Sequence, residues 1–293
     1  MVFIRYLAGI IGRFFRLVLK VKFKKSIYQS MGFYGPFSVN VNERKIILNN
    51  NRDGISNDIF YSGIFGNFEG LSLKIWNQLC LNAETSYVFD IGGYSGIYSL
   101  VAASASTKIN IQTFEPHPGT FNLLMQNISS NTFKNINANN FALGDKDGKI
   151  KFYNAVGNHP SGFSSINHRF IEKNADIKIC DVKNFSSLLN STFSDLKISL
   201  IKIDIERAEL PLLQSVIERI LEDRTCVLSE ILDVEFYEEF DDLFFANNYQ
   251  SIKIDDLNNS FKKVDRLLGS SKIGDNVLFL PSEFNFNIIE KSL

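Results

Sequence analysis

The sequence predicts an α/β fold, doubly wound around a mostly parallel β-sheet, and three observations support this prediction. Four short apolar runs, at residues 87–91, 109–114, 200–205 and 225–231, are typical of strands buried on both faces of a parallel sheet. The segments between them show helical spacing of apolar residues, and a glycine-rich turn follows the first run. Because alternating strands and helices cover both faces of one sheet, residues 86–281 are expected to form one domain.

Residues 1–30 form a basic, amphipathic N-terminal segment. Projected on a helix at about 100° per residue, four basic residues fall in one arc opposite an apolar face: Arg5, Arg13, Arg16 and Lys20. These charges interrupt the apolar run and no small-residue cleavage site follows, which argues against a secretory signal peptide. The pattern is typical of a helix that lies on an anionic membrane through residues 1–25. A helix that packs its apolar face on the protein body fits the pattern equally well.

Residues 31–85 are expected to form an extension that contains a hairpin and a helix. Alternating apolar and polar residues over 37–49 predict a β-hairpin that turns at residues 42–44. Leu71, Ile75 and Leu79 follow at helical spacing. The extension therefore precedes the first strand of the domain.

The spacing of apolar residues predicts two helices of the domain clearly. Pro118 suits a first helical turn, and apolar residues follow it at helical spacing: Phe121, Leu124, Met125 and Ile128. A second helix is predicted from about residue 208 to 223. Residues 241–256 predict a helix and then a strand, residues 275–281 a last strand, and residues 282–293 a C-terminal tail.

The composition indicates a globular protein with no strong charge. Lys and Arg number 31 against 32 Asp and Glu, for a net charge of −1, so no basic field would attract nucleic acid. The three cysteines lie far apart in apolar segments, which is typical of reduced, buried thiols in a cytoplasmic protein. We therefore expect no nucleic-acid partner and a cytoplasmic location, with peripheral contact to the inner membrane face if residues 1–25 bind lipid.

The glycine turn after the first strand predicts a nucleoside-bearing cofactor. Gly92, Gly93 and Gly96 follow Asp90, at the sheet edge where ligands of open parallel sheets bind. Glu115 lies nineteen residues after Gly96, where an acid can accept hydrogen bonds from ribose hydroxyls. Asp90 would repel a pyrophosphate but could hold an ammonium group, so the turn favours S-adenosylmethionine over NAD.

Five segments resemble the FkbM-type S-adenosylmethionine-dependent methyltransferases, in the same order and at similar spacing. They are "VFDIGGYSGIYSLVA", "FEPHPGTFNLLMQN", "NNFALGDKDGKIKFY", "SGFSS" and "LIKIDIERAELPLLQS". The resemblance covers about residues 68–232. It implies a class I methyltransferase (Rossmann-like) fold with a seven-stranded sheet whose last strand is antiparallel, and O-methylation of sugar or related hydroxyls.

The resemblance also implies roles for individual residues of this chain. It places Asp90, Gly92 and Gly96 in the cofactor loop, Glu115 at the ribose, and Phe141 and Ala142 near the adenine. The adjacent Gly93, Tyr94 and Pro116 are also expected to bind the cofactor. Two positions depart from the family pattern, since Tyr94 stands where Asn is usual and Arg207 where Gly is usual. Glu69 resembles a family position ahead of the domain.

Candidates for a catalytic base cluster after the fourth strand. Asp204 and Glu206 are expected on the same side of the strand, where both could have a raised pKa or could bind a divalent cation that orients a sugar, although no metal site is assigned. Glu230 ends the adjacent strand, and Glu209 either joins the cluster or simply begins a helix. His159, in a polar stretch that could fold over the site, is the third candidate.

Three functions remain open on the sequence. The first is an O-methyltransferase that acts on a hydroxyl of a sugar, glycan or glycolipid precursor in polysaccharide biosynthesis. The second is a binding or assembly protein that keeps the fold without catalysis, suggested by Tyr94 and Arg207. The third is an NAD-dependent oxidoreductase, which the glycine spacing disfavours.

Overall fold

The computed structural model describes residues 34–51, 53–154, 176–205, 207–271 and 274–291, with residues 7, 9–12, 14 and 18. From residue 34 onwards the α-helices are α1 Gly54–Ser62, α2 Gly70–Leu81, α3 Ile97–Ala105, α4 Pro118–Ser129, α5 Phe185–Thr192, α6 Glu209–Asp223, α7 Tyr237–Phe244 and α8 Asn287–Glu290. The first strands are β1 Gly35–Val41, β2 Arg44–Asn50, β3 Tyr87–Ile91, β4 Asn110–Phe114, β5 Ile136–Asn139, β6 Ala142–Gly144 and β7 Gly148–Asn154. The remaining strands are β8 Asp176–Asn184, β9 Ile198–Ile203, β10 Cys226–Glu230, β11 Tyr249–Asp255, β12 Ser260–Val264 and β13 Asn276–Pro281.

The main sheet confirms the predicted α/β architecture. Its strand order is β12-β11-β13-β10-β9-β3-β4-β5. The strands from β10 to β5 are parallel, and β13 runs antiparallel to both of its neighbours, as expected for the last strand. The structure adds an eighth strand, β12, which pairs with β11 at the edge and exposes Lys262 and Lys263. Charged residues on an edge strand oppose pairing with another chain.

Alternate residues of each central strand pack on opposite faces of the sheet. Val88 of β3 joins a core with α2 and α3, whereas Phe89 joins a core with α5, α6 and α7. This two-sided burial explains why these strands appear in the sequence as continuous apolar runs.

The extension covers the first of these faces. The predicted hairpin is confirmed, and its turn residues Asn42 and Glu43 both have positive φ, as a two-residue turn of the I′ type requires. The backbone N–H groups of Ile47 and Asn49 donate to Asn131 and Asn127, which ties the free edge of β2 to α4 and to the residues just after it. The limits between 31–85, 86–281 and 282–293 stay predictions.

A second sheet of three strands lies outside the main one, in the order β6-β8-β7. Its strand β8 pairs in parallel with β6 and antiparallel with β7. The sequence pattern did not predict this sheet. Among the residues that the structure describes, no helix is both long enough and apolar enough to span a bilayer.

Candidate active site

A cavity of about 460 Å³ lies at the carboxyl ends of β3, β4 and β9. The turns after these strands line it, together with the turn from β6 into β7 and with Ile55, Phe68 and Glu69 of the extension. Ligand cavities typically measure about 300–1,000 Å³, so this cavity has room for a small cofactor. Its position is the one expected for a ligand site in an open parallel sheet.

The glycine turn packs closely against the two neighbouring strands. Gly92 has φ 84°, and a Cβ on it would overlap the backbone carbonyl of Asp204. A Cβ on Gly93 would overlap the hydroxyl of Thr113 on β4. Both glycines line the cavity, but Gly96 does not: it has φ 81° and forms the N-cap of α3 beside Leu124. These glycines therefore serve close packing and the turn itself, in addition to any contact with a ligand.

Glu115 lines the cavity beside the glycine turn. Its Oε2 accepts a hydrogen bond from the Tyr94 N–H at 3.0 Å, and its Oε1 accepts from the His117 N–H at 2.8 Å and from the Thr120 hydroxyl. Burial raises the pKa of Glu115 to about 7, against the opposing effect of these hydrogen bonds. The acid therefore faces the glycine turn, as the sequence predicts.

Tyr94 lies in the cavity wall in a left-handed conformation, with φ 45°. Asn adopts this region more readily than Tyr does, which gives a physical meaning to the departure from the family pattern. Burial, and then the nearby Asp53 and Glu115, raise the pKa of the Tyr94 hydroxyl above its usual range.

Asp90 serves the turn as well as the cavity that it lines. Its Oδ2 accepts hydrogen bonds from both the N–H and the hydroxyl of Ser99, in the first turn of α3. An acid at a helix N-terminus is stabilised by the unpaired N–H groups there. Burial raises the pKa of Asp90.

Of the residues expected to bind the cofactor, Pro116 and Ala142 line the cavity, whereas Phe141 is not among the lining residues. The Phe141 ring packs against Phe114, with 5.5 Å between the ring centroids, and the Lys183 ammonium lies 4.0 Å from its centroid. That side of the cavity is lined instead by residues 144–150, at the turn from β6 into β7.

Three carboxylates meet at the end of β9. Glu69, Asp204 and Glu230 each offer an oxygen within 4.8 Å of the others, and all three residues line the cavity. The ammonium of Lys202, a residue only 1% exposed, lies 3.4 Å from Asp204 Oδ2 and also lines the cavity. We call Glu69, Lys202, Asp204 and Glu230 the carboxylate–lysine cluster.

Charges in this cluster depend strongly on one another. Burial, Asp204 and a hydrogen bond to Asp204 raise the pKa of Glu230 to about 9, so Glu230 holds a proton near neutral pH. Burial would lower the pKa of Lys202, but the surrounding carboxylates outweigh it and the pKa lies above its usual range. Burial and Asp204 raise the pKa of Glu69, whereas Lys202 opposes this rise.

Glu69 enters the cluster in a strained conformation. It precedes α2 with φ 38° and ψ 41°, and it accepts a hydrogen bond from the Tyr98 hydroxyl. Left-handed non-glycine residues are uncommon and occur often at functional sites.

Glu209 and Arg207 shape the turn between β9 and α6. Glu209 is the first residue of α6, and its carboxylate accepts hydrogen bonds from the N–H groups of Ile205 and Arg207, each at 3.1 Å. Of the two roles considered for Glu209, the structure supports the helix start. Arg207 has φ 80°, a conformation that favours glycine, and its Nε lies 3.4 Å from Asp233. The predicted catalytic residues Glu206 and His159 lie outside the described residues.

Lys202 was not predicted as a site residue, although the sequence carries a signal for it. A lysine within the apolar run "LIKI" must be buried with a compensating charge, because a buried unpaired ammonium is very costly. Glu69 lacks any such local signal.

Comparisons with known proteins match this chain to methyltransferases. The family model described as "Methyltransferase FkbM domain" matches residues 90–274. "Methyltransferase 1" of Beauveria bassiana (strain ARSEF 2860) is 23% identical over 146 residues, which are 45% of this chain and 58% of that protein. The chain thus spans less than two thirds of this relative's length.

Two solved structures are also similar. The methyltransferase FkbM from Methylobacillus flagellatus KT has a TM-score of 0.40 and 16% identity, over 67% of this chain and 43% of that one. M. jannaschii TYW2, in complex with AdoMet, has a TM-score of 0.41 and 12% identity, over 85% and 86% of the two chains. Because the family model matches more than half of the sequence, including the glycine turn, Glu115 and Asp204, the chain belongs to the FkbM methyltransferase family and has the class I methyltransferase fold.

Proposed function

We propose that the protein is an S-adenosylmethionine-dependent O-methyltransferase that acts on a hydroxyl of a sugar, glycan or glycolipid precursor. The observation that carries this proposal is one cavity lined both by the glycine turn with Glu115 and by the carboxylate–lysine cluster. A cofactor and an acceptor could therefore meet in it. The free, buried cysteines of the chain support a cytoplasmic location.

The residues present fit the cofactor. Glu115 is a buried carboxylate that would accept hydrogen bonds from the ribose hydroxyls, and the Tyr94 N–H holds its Oε2 in place. The Ser95 hydroxyl is buried beside the cavity with no hydrogen-bond partner among the described residues, so it offers a further polar contact. S-adenosylmethionine would supply an electrophilic methyl group on a sulfonium.

The carboxylate–lysine cluster is suited to an acceptor that carries hydroxyl groups. Glu230 donates its proton to Asp204, and the remaining oxygens of the two carboxyl groups can accept hydrogen bonds from two hydroxyls of a sugar. Asp204 would take the proton of the reacting hydroxyl, since it lines the cavity and is partly exposed. General base catalysis of this kind contributes about 10²–10⁴-fold.

A binding or assembly protein is the second candidate, because Tyr94 and Arg207 depart from the family pattern at two strained positions. Titration calorimetry with S-adenosylmethionine separates the two proposals. We expect saturable binding, followed by transfer of labelled methyl groups to one member of a panel of nucleotide sugars, oligosaccharides and glycolipids. Absence of cofactor binding by the folded protein would rule out the enzyme.

Glu115→Ala should weaken S-adenosylmethionine binding by about 1.5–3 kcal/mol, the range for hydrogen bonds to a charged group. Calorimetry gives the affinity, and circular dichroism confirms that the variant is folded. The control is Glu84→Ala, because Glu84 is exposed, lies 3.5 Å from the Lys197 ammonium and does not line the cavity. If both variants bind the cofactor like the wild type, Glu115 does not contact it.

Cofactor affinity should rise about tenfold between pH 6 and pH 8, because the pKa of Glu115 is raised to about 7 and ribose hydroxyls bind best to the ionised carboxylate. Binding at pH 7 should therefore release about half a proton per cofactor bound, because the carboxyl group is about half protonated at a pH equal to its pKa. Calorimetry in buffers of different ionisation enthalpy measures this release. Glu115→Gln cannot ionise, so its affinity should not change over this range, and a variant that keeps the pH dependence would assign it to another group.

A further inference from the structure

Most described residues near the N-terminus are helical, and the side of this segment that carries its glycines packs on α1. Residues 7, 9–12 and 14 are helical, and the Val18 N–H bonds to the Phe14 carbonyl. Gly9 and Gly12 are buried, and a Cβ on Gly12 would lie 3.0 Å from Cε1 of Tyr61. Glycine therefore lets this segment approach α1 closely.

The large apolar side chains of the same segment point away from the protein body. Leu7, Ile10, Ile11 and Val18 are 43%, 44%, 55% and 60% exposed. On a helix these positions fall within an arc of about 100°, opposite Gly9 and Gly12. Such a contiguous exposed apolar face marks an interaction surface. We call these four residues the N-terminal apolar face.

Charge identifies the partner of this face. Residues 1–25 contain seven Lys and Arg residues and no Asp or Glu. Two copies of a segment with this charge repel each other, whereas an anionic bilayer attracts it by about 1 kcal/mol per basic residue near the surface. We propose that the N-terminal apolar face binds the surface of an anionic lipid bilayer, with its side chains inserted at the headgroup level.

Docking through this face would bring the cavity near the bilayer. Helix α1 carries both Tyr61, which contacts the glycine side of the segment, and Ile55, which lines the cavity. Six residues of helix span about 9 Å. The membrane site does not depend on the proposed chemistry, but it suits an acceptor that is held at a membrane.

Flotation of the full chain with vesicles tests the proposal. The vesicles are phosphatidylcholine alone, or phosphatidylcholine with about a third of phosphatidylglycerol. We expect binding to the anionic vesicles only, weakened at high salt. Ile10→Asp with Ile11→Asp should lower the affinity by about tenfold or more, because two apolar side chains lose their burial in lipid. The matched control, Leu257→Asp with Leu268→Asp, changes two exposed leucines elsewhere and should float like the wild type.

Light scattering of the same proteins without lipid tests whether a second copy of the chain covers the N-terminal apolar face instead. Failure of the wild type to float would overturn the proposal, and so would equal flotation of the wild type and the Ile10 and Ile11 variant. A dimer that forms without lipid and dissociates in that variant would assign the face to a second copy. Cofactor binding should be the same in all variants, so a failure to bind vesicles is distinct from a failure of the proposed enzyme.

Discussion

Lys202→Met should lower the free energy of unfolding by about 3–5 kcal/mol, the range for removal of one partner from a buried ion pair. The side chain lies in the middle strand β9, and its ammonium is 3.4 Å from Asp204. It also interacts with the charges of Glu69, Glu230 and Asp90. A methionine fills similar space but leaves these carboxylates without a cation. Urea denaturation at pH 8 measures the loss.

The pH dependence of this loss distinguishes charge from packing. The pKa values of Glu69, Asp90 and Glu230 are already raised in the folded protein, and removal of Lys202 raises them further. A group whose pKa is raised on folding binds more protons when folded, so stability of the variant should improve as the pH falls. The deficit relative to the wild type should therefore shrink between pH 8 and pH 5.5.

Lys262→Met is the control, because Lys262 is exposed on β12 and should change stability by less than about 0.5 kcal/mol at either pH. A deficit of Lys202→Met that stays constant with pH would mean that the loss comes from packing. The cluster would then not depend on the lysine charge.

The central strands were predictable because their burial is visible in the sequence. Strands such as β3 and β9 are buried on both faces, so most residues of "YVFDI" and "ISLIKI" lie in an apolar core or at the cavity edge. The hairpin was predictable for a different reason, since alternating residues flank a turn with Asn42 and Glu43. Both signals are local, and local signals suffice for individual elements.

The elements that complete the cavity depend on contacts between distant residues. Strand β8 pairs with β6 and with β7, both of which lie well before it in the sequence. Its apolar residues Ile177 and Ile179 are exposed, so the pattern of apolar residues does not indicate which face of the strand is buried. Glu69 reaches the carboxylate–lysine cluster from the extension, more than a hundred residues before Asp204. The periodicity of apolar residues within one segment cannot predict a contact between residues so far apart in the sequence.

The position of a candidate site residue can be predicted from the sequence where the backbone determines it. Glu115 directly follows β4 and Asp204 directly follows β9, so the sheet edge places both side chains beside the cavity. Phe141 fails this condition, because it precedes the short strand β6 and its ring packs beneath Lys183 instead of lining the cavity. The orientation of a side chain in a short connecting segment is set by packing, which the sequence does not reveal.

Asp204→Asn should lower methyl transfer by about 10²–10⁴-fold, because the amide cannot accept the proton of the acceptor hydroxyl. Cofactor affinity should stay within about twofold of the wild type, since Glu115 lies on a different strand. The fold should persist, because Glu230 can release its proton and pair with Lys202 when Asp204 is neutral. Transfer of labelled methyl groups to the acceptor found in the panel measures the rate.

Glu230→Gln is the matched variant of the same pair. Its amide N–H can donate to Asp204 as the protonated acid does, so activity near neutral pH should be largely retained. In the wild type, activity should fall as the pH rises through about 9, where Glu230 loses its proton and repels Asp204. The glutamine cannot ionise, so this alkaline decline should disappear. Retention of full activity by Asp204→Asn would remove Asp204 as the base, and an unchanged alkaline decline in Glu230→Gln would show that the two carboxyl groups do not share a proton.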